Sequence, residues 1–477
     1  MVSSSSLNLL FVTADQWRAD AFGLAAPTRA VTPHLDALAR EGVWMARHYG
    51  QAAPCGPSRT SIHTARFPID HGAWRNGAPA RGLAANWAAS LAAAGREAHL
   101  VGYSHTVSDT ASDDRGFEGL LPGLVCEAEH RVDQSDWAAW LGARGRPAPT
   151  PASRLLDPTP VSAGAHGAYR WGRASYAFAD SDTAYLAVRA CAFMARRRSK
   201  PWALHVTFFR PHDPYVVAED FPLPSLSAAD FPRRGPTRAE ALRRHPYLGA
   251  QLRAPRAAAP DDPETLLDLR RHYLASVAEF DAGVGLLLDG LQALDLADST
   301  LVIVTSDHGD QLGDHWLMNK LGPYDQSFHV PLIVRDPRRE ADAGRGRREQ
   351  SFTQAVDIAP TLLDYAEAEP LPACRGRTLR GLVEGRAEAL RMDHALWYYD
   401  YSDVMASDGR PHRLSVARSA QGLYAEFDDF APLLIDLEGD GEDAWLNRSG
   451  DRAYEALEAA MRAQLKAPFA APLTAAW

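Results

Sequence analysis

Leu301-Val302-Ile303-Val304-Thr305-Ser306-Asp307-His308-Gly309 is the stretch that decides the fold. Apolar and β-branched residues run unbroken, then stop at a hydroxyl, a carboxylate and an imidazole. So short a run without alternation reads as a strand covered on both faces, as in parallel sheets. The N-terminus repeats the pattern: the mostly apolar residues 7–13 lead into Ala14-Asp15-Gln16. Residues 98–101, 203–209 and 332–334 read as further strands, separated by helical patterns. The clearest helix starts at an Asp262-Pro263 cap and runs toward Asp289. Leu266, Leu269, Tyr273, Val277, Phe280, Val284 and Leu288 fall on one stripe of it. Strand–helix alternation predicts an α/β fold with a mostly parallel central sheet and helices on both faces. Such sheets carry their active sites at the carboxyl ends of the strands.

Two segments interrupt the alternation. Residues 142–172 are rich in Pro, Ala and Gly, and residues 221–260 in Pro and Arg. Both read as long excursions that shape a binding site. After residue 376 the pattern changes. Residues 394–401, 413–418, 422–427 and 433–437 read as an antiparallel sheet, and 452–465 as a final helix. This predicts a catalytic domain over 1–376 and a small C-terminal α+β domain over 377–477.

Composition excludes several classes. The chain has 477 residues, 46% of them hydrophobic and 23% charged, and a net charge of −10. That is the profile of a globular protein with no nucleic-acid footprint. No apolar run reaches membrane-span length, and residues 1–6 lack the basic start of a signal peptide. Four cysteines, Cys55, Cys126, Cys191 and Cys374, are too scattered for a disulfide or zinc framework. Cys126, Cys191 and Cys374 read as small buried or half-buried residues. The expected location is cytoplasmic.

Asp15-Gln16 and Asp307-His308 each follow a strand expected to be parallel, so the fold brings the pairs together. Two carboxylates, an amide oxygen and an imidazole make a site for one divalent metal ion, with Mn, Ca, Zn and Mg all open.

Cys55-Gly56-Pro57-Ser58-Arg59 matches C-x-P-S-R, the signature of the sulfatase family, and by it the chain resembles that family. Thr64-Ala65-Arg66 resembles the family's T-G-R, with Ala for Gly. The resemblance implies an alkaline-phosphatase-like sandwich fold. It also implies that a formylglycine-generating enzyme converts Cys55 to formylglycine. The hydrated aldehyde then offers one oxygen to the metal and another as nucleophile. Arg59, one turn along the following helix, would hold the diol. Arg210-Pro211-His212-Asp213-Pro214 resembles P-H-x-P and implies that His212 faces the leaving group. Lys320, after the Asp307–His315 segment, resembles the active-site lysine. Asp436, Asp440 and Asn447 resemble a degraded C-terminal motif.

Arylsulfatases of the common type carry Asp-Asp, Asp-Asn and G-K-W-H where this chain has Asp15-Gln16, Asp307-His308 and Gly102-Tyr103-Ser104-His105. These differences resemble the phosphonate monoester hydrolase and phosphodiesterase branch. His329 stands where an arginine is usual there, and Asn76 matches a substrate contact. Tyr103 and His105 are expected beside the substrate. Sulfate monoesters, phosphonate monoesters and phosphate diesters are all monoanions at neutral pH, so one site tolerates all three. The expected activity is hydrolysis of a small phosphonate monoester or phosphodiester. The alternative is an aryl or alkyl sulfatase. The third reading, a non-catalytic binding protein, is disfavoured because every expected site residue is present. A homo-oligomer is expected from related enzymes.

Overall fold

A computed structural model describes residues 7–469 apart from 28, 107–119, 131–132, 255–256, 321, 387–388, 390, 406–409 and 440–445. Residues 1–6 and Asp440, both read above, lie outside the described residues.

In chain order the strands are β1 (Asn8–Asp15), β2 (Val43–Tyr49), β3 (Ala52–Ala53), β4 (Ala98–Gly102), β5 (Leu124–Glu129), β6 (Gly164–His166), β7 (Tyr169–Arg173) and β8 (Ala203–Pro211), then β9 (Tyr215–Val217), β10 (Thr300–Ser306), β11 (His329–Arg335), β12 (Arg347–Gln354), β13 (His394–Asp400), β14 (Arg413–Ser419), β15 (Gly422–Phe427) and β16 (Leu433–Asp436). Eight of them form one sheet in the order β12-β2-β11-β10-β1-β8-β4-β5. Within it β10, β1, β8, β4 and β5 are parallel, while β11 runs against its neighbours β10 and β2. The mostly parallel sheet is as expected.

Both faces of this sheet are covered, which is why β1, β8 and β10 carry apolar residues without alternation. Leu10, Val12, Val206, Phe208, Val302 and Val304 point into one core, with the long helix Pro263–Ala293 and the helix Asp182–Arg197. Leu9, Phe11, Leu100, Leu301 and Ile303 point into the other, with Ile62 of the helix Cys55–Thr64 and Leu362 and Leu363 of the helix Ile358–Tyr365. The long helix begins where expected: the Asp262 side chain accepts from Thr265 N at 2.9 Å.

The two excursions are more structured than their composition suggests. The first contributes β6 and β7, which join β9 in a three-stranded sheet. The second holds the short helices Arg238–Arg244 and Pro246–Arg253. The cysteine reading needs one correction. Cys374 is buried and Cys191 half-buried, but Cys126 is exposed. It lies on β5, the last strand of the sheet, where Val125 and Cys126 are both exposed just before the register shifts against β4.

A second sheet, β16-β15-β14-β13-β3, forms from the C-terminal region. Its last strand is not C-terminal. β3 pairs in parallel with β13, placing Ala52 opposite Tyr398 and Ala53 opposite Tyr399. The contact between the sheets is aromatic. Trp397 is stacked on Tyr49 at 5.5 Å and on Phe328 at 5.0 Å, and is fully buried. Trp397→Ala is expected to cost roughly 3–5 kcal/mol, from lost burial and a cavity between the sheets. Chemical denaturation of the purified variant measures it; a loss below about 1 kcal/mol would mean the sheets do not depend on this contact.

Candidate active site

The parallel register of β1, β8 and β10 builds the site. Ala14 lies opposite Ser306, and Asp15 opposite Pro211. Three strand ends therefore converge, carrying Asp15-Gln16, Asp307-His308 and His212. The helix Cys55–Thr64 points its first turn at the same place, with Cys55 at its first residue and Arg59 one turn later. That helix ends at Ala65, which sits in the left-handed region at φ 53°. The family's usual glycine suits that conformation. A residue with a Cβ pays about 1 kcal/mol or more for it.

Asp15, Cys55, Asp307 and His308 are buried, and their ligand atoms all lie within 4.8 Å of one another. Arg59 ties the carboxylates together. Its Nε donates to Asp307 Oδ2 at 2.9 Å and its Nη2 to Asp15 Oδ2 at 3.2 Å. Backbone amides of Gln16 and His308 donate to Asp307 Oδ1 at 3.1 and 2.9 Å. His308 Nδ1 lies 3.0 Å from the Gly309 carbonyl, so Nδ1 carries the proton. The lone pair on Nε2 then faces Cys55 Sγ at 3.1 Å and Asp15 Oδ1 at 3.6 Å. Lys320 Nζ lies 3.3 Å from Cys55 Sγ, 2.9 Å from Gln16 Oε1 and 2.9 Å from His212 Nε2.

Burial raises the pKa of every carboxylate here, and the neighbours decide the outcome. Burial opposes ionisation of Asp15, but His212, Arg59, His308 and Lys320 together hold its carboxyl well below the ordinary range. Asp307 is pushed up to about 6 by burial and by the charge of Asp15. Burial, then Asp15, push the Cys55 thiol well above its ordinary value. A thiol in that state is a poor nucleophile at neutral pH. Burial and Lys320 keep His308 neutral. Burial works against the Lys320 charge, but Cys55, Asp15, Asp213 and Asp307 hold its pKa above the usual lysine value.

The donor set fits a divalent cation. Two carboxylates, a neutral imidazole with its lone pair turned inward, and the group at position 55 converge within one coordination sphere. Arg59 Nη1 is buried and makes no hydrogen bond to the described residues, which leaves a donor beside this group.

The residues expected beside the substrate are all near Cys55, but two of them are already engaged. The Tyr103 hydroxyl donates to Asp15 Oδ2 at 2.7 Å, and its ring lies 4.5 Å from the Arg59 guanidinium carbon. Asn76 Oδ1 accepts from Gly56 N at 2.8 Å and so braces the first turn of the Cys55 helix. The His105 ring is 6.1 Å from that of Tyr103, and burial and Arg59 push its pKa down to about 3. Sequence reasoning gave no role to Tyr215 or Asp310. The Gln16 amide nitrogen donates to Asp310 and to the Tyr215 hydroxyl, 3.3 Å away, and Tyr215 donates to Asp310 Oδ2 at 2.9 Å. These contacts turn Gln16 Oε1 toward Lys320. The available signal was position: Asp310 follows His308 by two residues, and Tyr215 closes the His212 segment.

The sulfatase family model matches residues 7–368, three quarters of the chain. The chain belongs to the sulfatase family. A second model, N-sulphoglucosamine sulphohydrolase, C-terminal, matches residues 313–469 of this sulfatase-family hydrolase. It is 30% identical to the multifunctional alkaline phosphatase superfamily protein PehA of Trinickia caryophylli, over 94% of this chain and 92% of that protein. It is 26% identical to a choline-sulfatase of Rhizobium meliloti, over 81% and 74%. Among solved structures, the phosphonate monoester hydrolase of Agrobacterium radiobacter superimposes with a TM-score of 0.87 at 30% identity, over 97% of this chain and 95% of that one. The fold is thus alkaline-phosphatase-like, with an additional C-terminal sheet. No helix among the described residues is long and apolar enough to cross a membrane.

Behind His212 in this sulfatase-family site lies a second buried network. Arg210 Nη2 lies 3.0 Å from the Tyr176 hydroxyl and 3.4 Å from Asp182, and Nε lies 3.6 Å from Glu279. Burial pushes Glu279 up to about 7, with Arg210 opposing it. A carboxyl raised in the folded state keeps its proton there while the unfolded chain has lost it. Its contribution to stability is therefore complete below about pH 4.5 and is lost as pH rises to about 7. Glu279→Gln should remove this dependence. Urea unfolding at pH 5 and pH 8 should show a smaller drop in the variant than in the parent protein; equal drops would refute the assignment.

Proposed function

We propose that this chain is a formylglycine-dependent hydrolase of monoanionic esters, acting on phosphonate monoesters and phosphodiesters. One observation carries the substrate reading: Tyr103 stands where arylsulfatases carry lysine, and it brings a neutral hydroxyl, bound to Asp15, instead of a charge. Burial, then Asp15, push its pKa well above the ordinary tyrosine value, so it stays neutral. A dianionic phosphate monoester gains more from an added cation than a monoanion does, and this site lacks that cation. The similarity to phosphonate monoester hydrolases of Agrobacterium radiobacter and Silicibacter pomeroyi supports the same reading. The similarity to a choline-sulfatase and an arylsulfatase keeps sulfate-ester hydrolysis as the second reading.

Cys55 is read as the formylglycine precursor, modified by a formylglycine-generating enzyme. A divalent ion held by Asp15, Gln16, Asp307, His308 and the modified residue 55 would polarise the substrate's non-bridging oxygens and acidify the nucleophile. Arg59 orients the group at position 55 through its remaining donor and offsets charge on the transferred group. His212 and Lys320 hydrogen-bond each other at 2.9 Å and act as one unit on the leaving group. A departing alkoxide takes a proton from this pair. Asn76 and His105 line the substrate side. The proposal includes a catalytic unit over 1–376, a C-terminal unit over 377–477, a cytoplasmic location and a homo-oligomer.

Peptide mass spectrometry of active protein should find Cys55 converted to the aldehyde, and Cys55→Ala should lose turnover entirely. Full activity from the unmodified thiol would overturn the reading. Asp307→Ala should lower the metal-to-protein ratio measured by elemental analysis; an unchanged ratio would remove Asp307 from the metal site.

Steady-state assays with matched nitrophenyl esters test the substrate class. For aryl phosphonates and phosphodiesters, kcat/KM should exceed that for the phosphate monoester by at least about tenfold, roughly 1.4 kcal/mol of transition-state binding. Tyr103→Lys should narrow the gap. A similar preference for the sulfate ester over both phosphorus monoanions would make the enzyme a sulfatase proper.

A further inference from the structure

A second cavity, of about 280 Å³, lies between the catalytic sheet and the C-terminal sheet. It shares no residue with the Cys55 site. Trp44 and Ala46 of β2 and His329 of β11 form one side. Leu423, Ile435 and Leu437 of the C-terminal region add an apolar wall.

Among the described residues, the charge in this cavity is unbalanced. Arg18, Arg29, Arg234, Arg348 and Arg418 line it, against Asp20 and Asp325. Asp20 is shared by three guanidiniums: Arg18 at 2.7 Å, Arg234 at 3.2 Å and Arg29 at 3.7 Å. Asp325 is taken by Arg418 at 2.9 Å. Asp314, which does not line the cavity, is divided between Arg18 and Arg270. Arg348 lies over the Trp44 ring at 4.7 Å and has no carboxylate partner among the described residues. Arginines gathered around too few carboxylates repel one another, and an added anion relieves that repulsion. The guanidinium fork matches the oxygens of phosphate, phosphonate and sulfate.

We propose that this cavity is a second ligand site, which binds a compact organic oxyanion. The phosphonate, phosphate or sulfate head lies on the arginines, and a small apolar body lies against Leu423, Ile435 and Leu437. The volume agrees with this, since small-molecule pockets begin on the order of 300 Å³. The site also touches the catalytic loop. Arg18 Nη1 donates to the carbonyls of Asp310 and Gln311, at 3.1 and 3.0 Å, in the segment between His308 and Lys320. An anion held beside Arg18 is thus one residue away from the loop that orients Gln16.

Isothermal titration calorimetry of metal-replete enzyme with phenylphosphonate tests the proposal, whether or not the enzyme turns over the esters considered above. This probe carries an anionic head and a compact ring, and its carbon–phosphorus bond is not an ester. It also fits the Cys55 site, so two equivalents per chain are expected. The double variant Arg29→Ala, Arg348→Ala should weaken one of them at least tenfold. Competitive inhibition of ester hydrolysis by phenylphosphonate, which reports the Cys55 site, should stay within twofold. Arg348→Glu, at an exposed position, serves as the second variant should the double one unfold. A single equivalent displaced by an active-site competitor, or two equivalents indifferent to both variants, would overturn the proposal. Inorganic phosphate binding as strongly as phenylphosphonate would overturn the part assigned to the apolar wall.

Discussion

One guanidinium holds the site together. The parallel pairing of β1 and β10 delivers Asp15 and Asp307 to the same buried point, and two carboxylates in that position repel each other strongly. Arg59 is placed to hydrogen-bond both, because it sits one turn into a helix whose first residue is Cys55. Removing one partner from such a group leaves a buried charge uncompensated, which is among the costlier defects a protein can carry. The remaining charge is divided unequally. Asp15 has four cationic or imidazole neighbours and remains ionised, whereas Asp307 has only Arg59, Lys320 and backbone amides against burial and the charge of Asp15, and is pushed up to about 6.

The parts of the fold legible in the sequence are those whose physics is local. β1, β8 and β10 are continuous apolar runs, and the Pro263–Ala293 helix has a cap and a stripe. β2, β5 and β12 were not legible. β2 mixes Arg47 and His48 with apolar residues. β12 reads Arg-Arg-Glu-Gln-Ser-Phe-Thr-Gln, and its strand identity comes from pairing with β2 rather than from its own pattern. β5 is a half-exposed edge, and this is why Cys126, expected from its residue type to be buried or half-buried, is exposed.

At the site, residue types were legible and their contacts were not. Asp15, Gln16, Cys55, Arg59, His212, Asp307, His308 and Lys320 were all singled out from motifs and strand ends, and the fold gathers them. That Tyr103 gives its hydroxyl to Asp15, or that Asp310 and Tyr215 turn the Gln16 amide, depends on turn geometry no single segment encodes.

β3 has a consequence for the order of events during synthesis. It is two residues long, ends two residues before Cys55, and finds its partner on β13. Ala52 and Tyr398 are far apart along the chain, so the pairing waits until most of the protein has left the ribosome. At about 5–20 residues per second that delay is tens of seconds. Through that interval the Cys55 segment lacks the strand that later fixes it, and afterwards Cys55 is buried, at 2% exposure. Any chemistry performed on Cys55 by another protein would therefore compete with the arrival of the C-terminal sheet. Variants that fold this region faster would leave more of the thiol untouched.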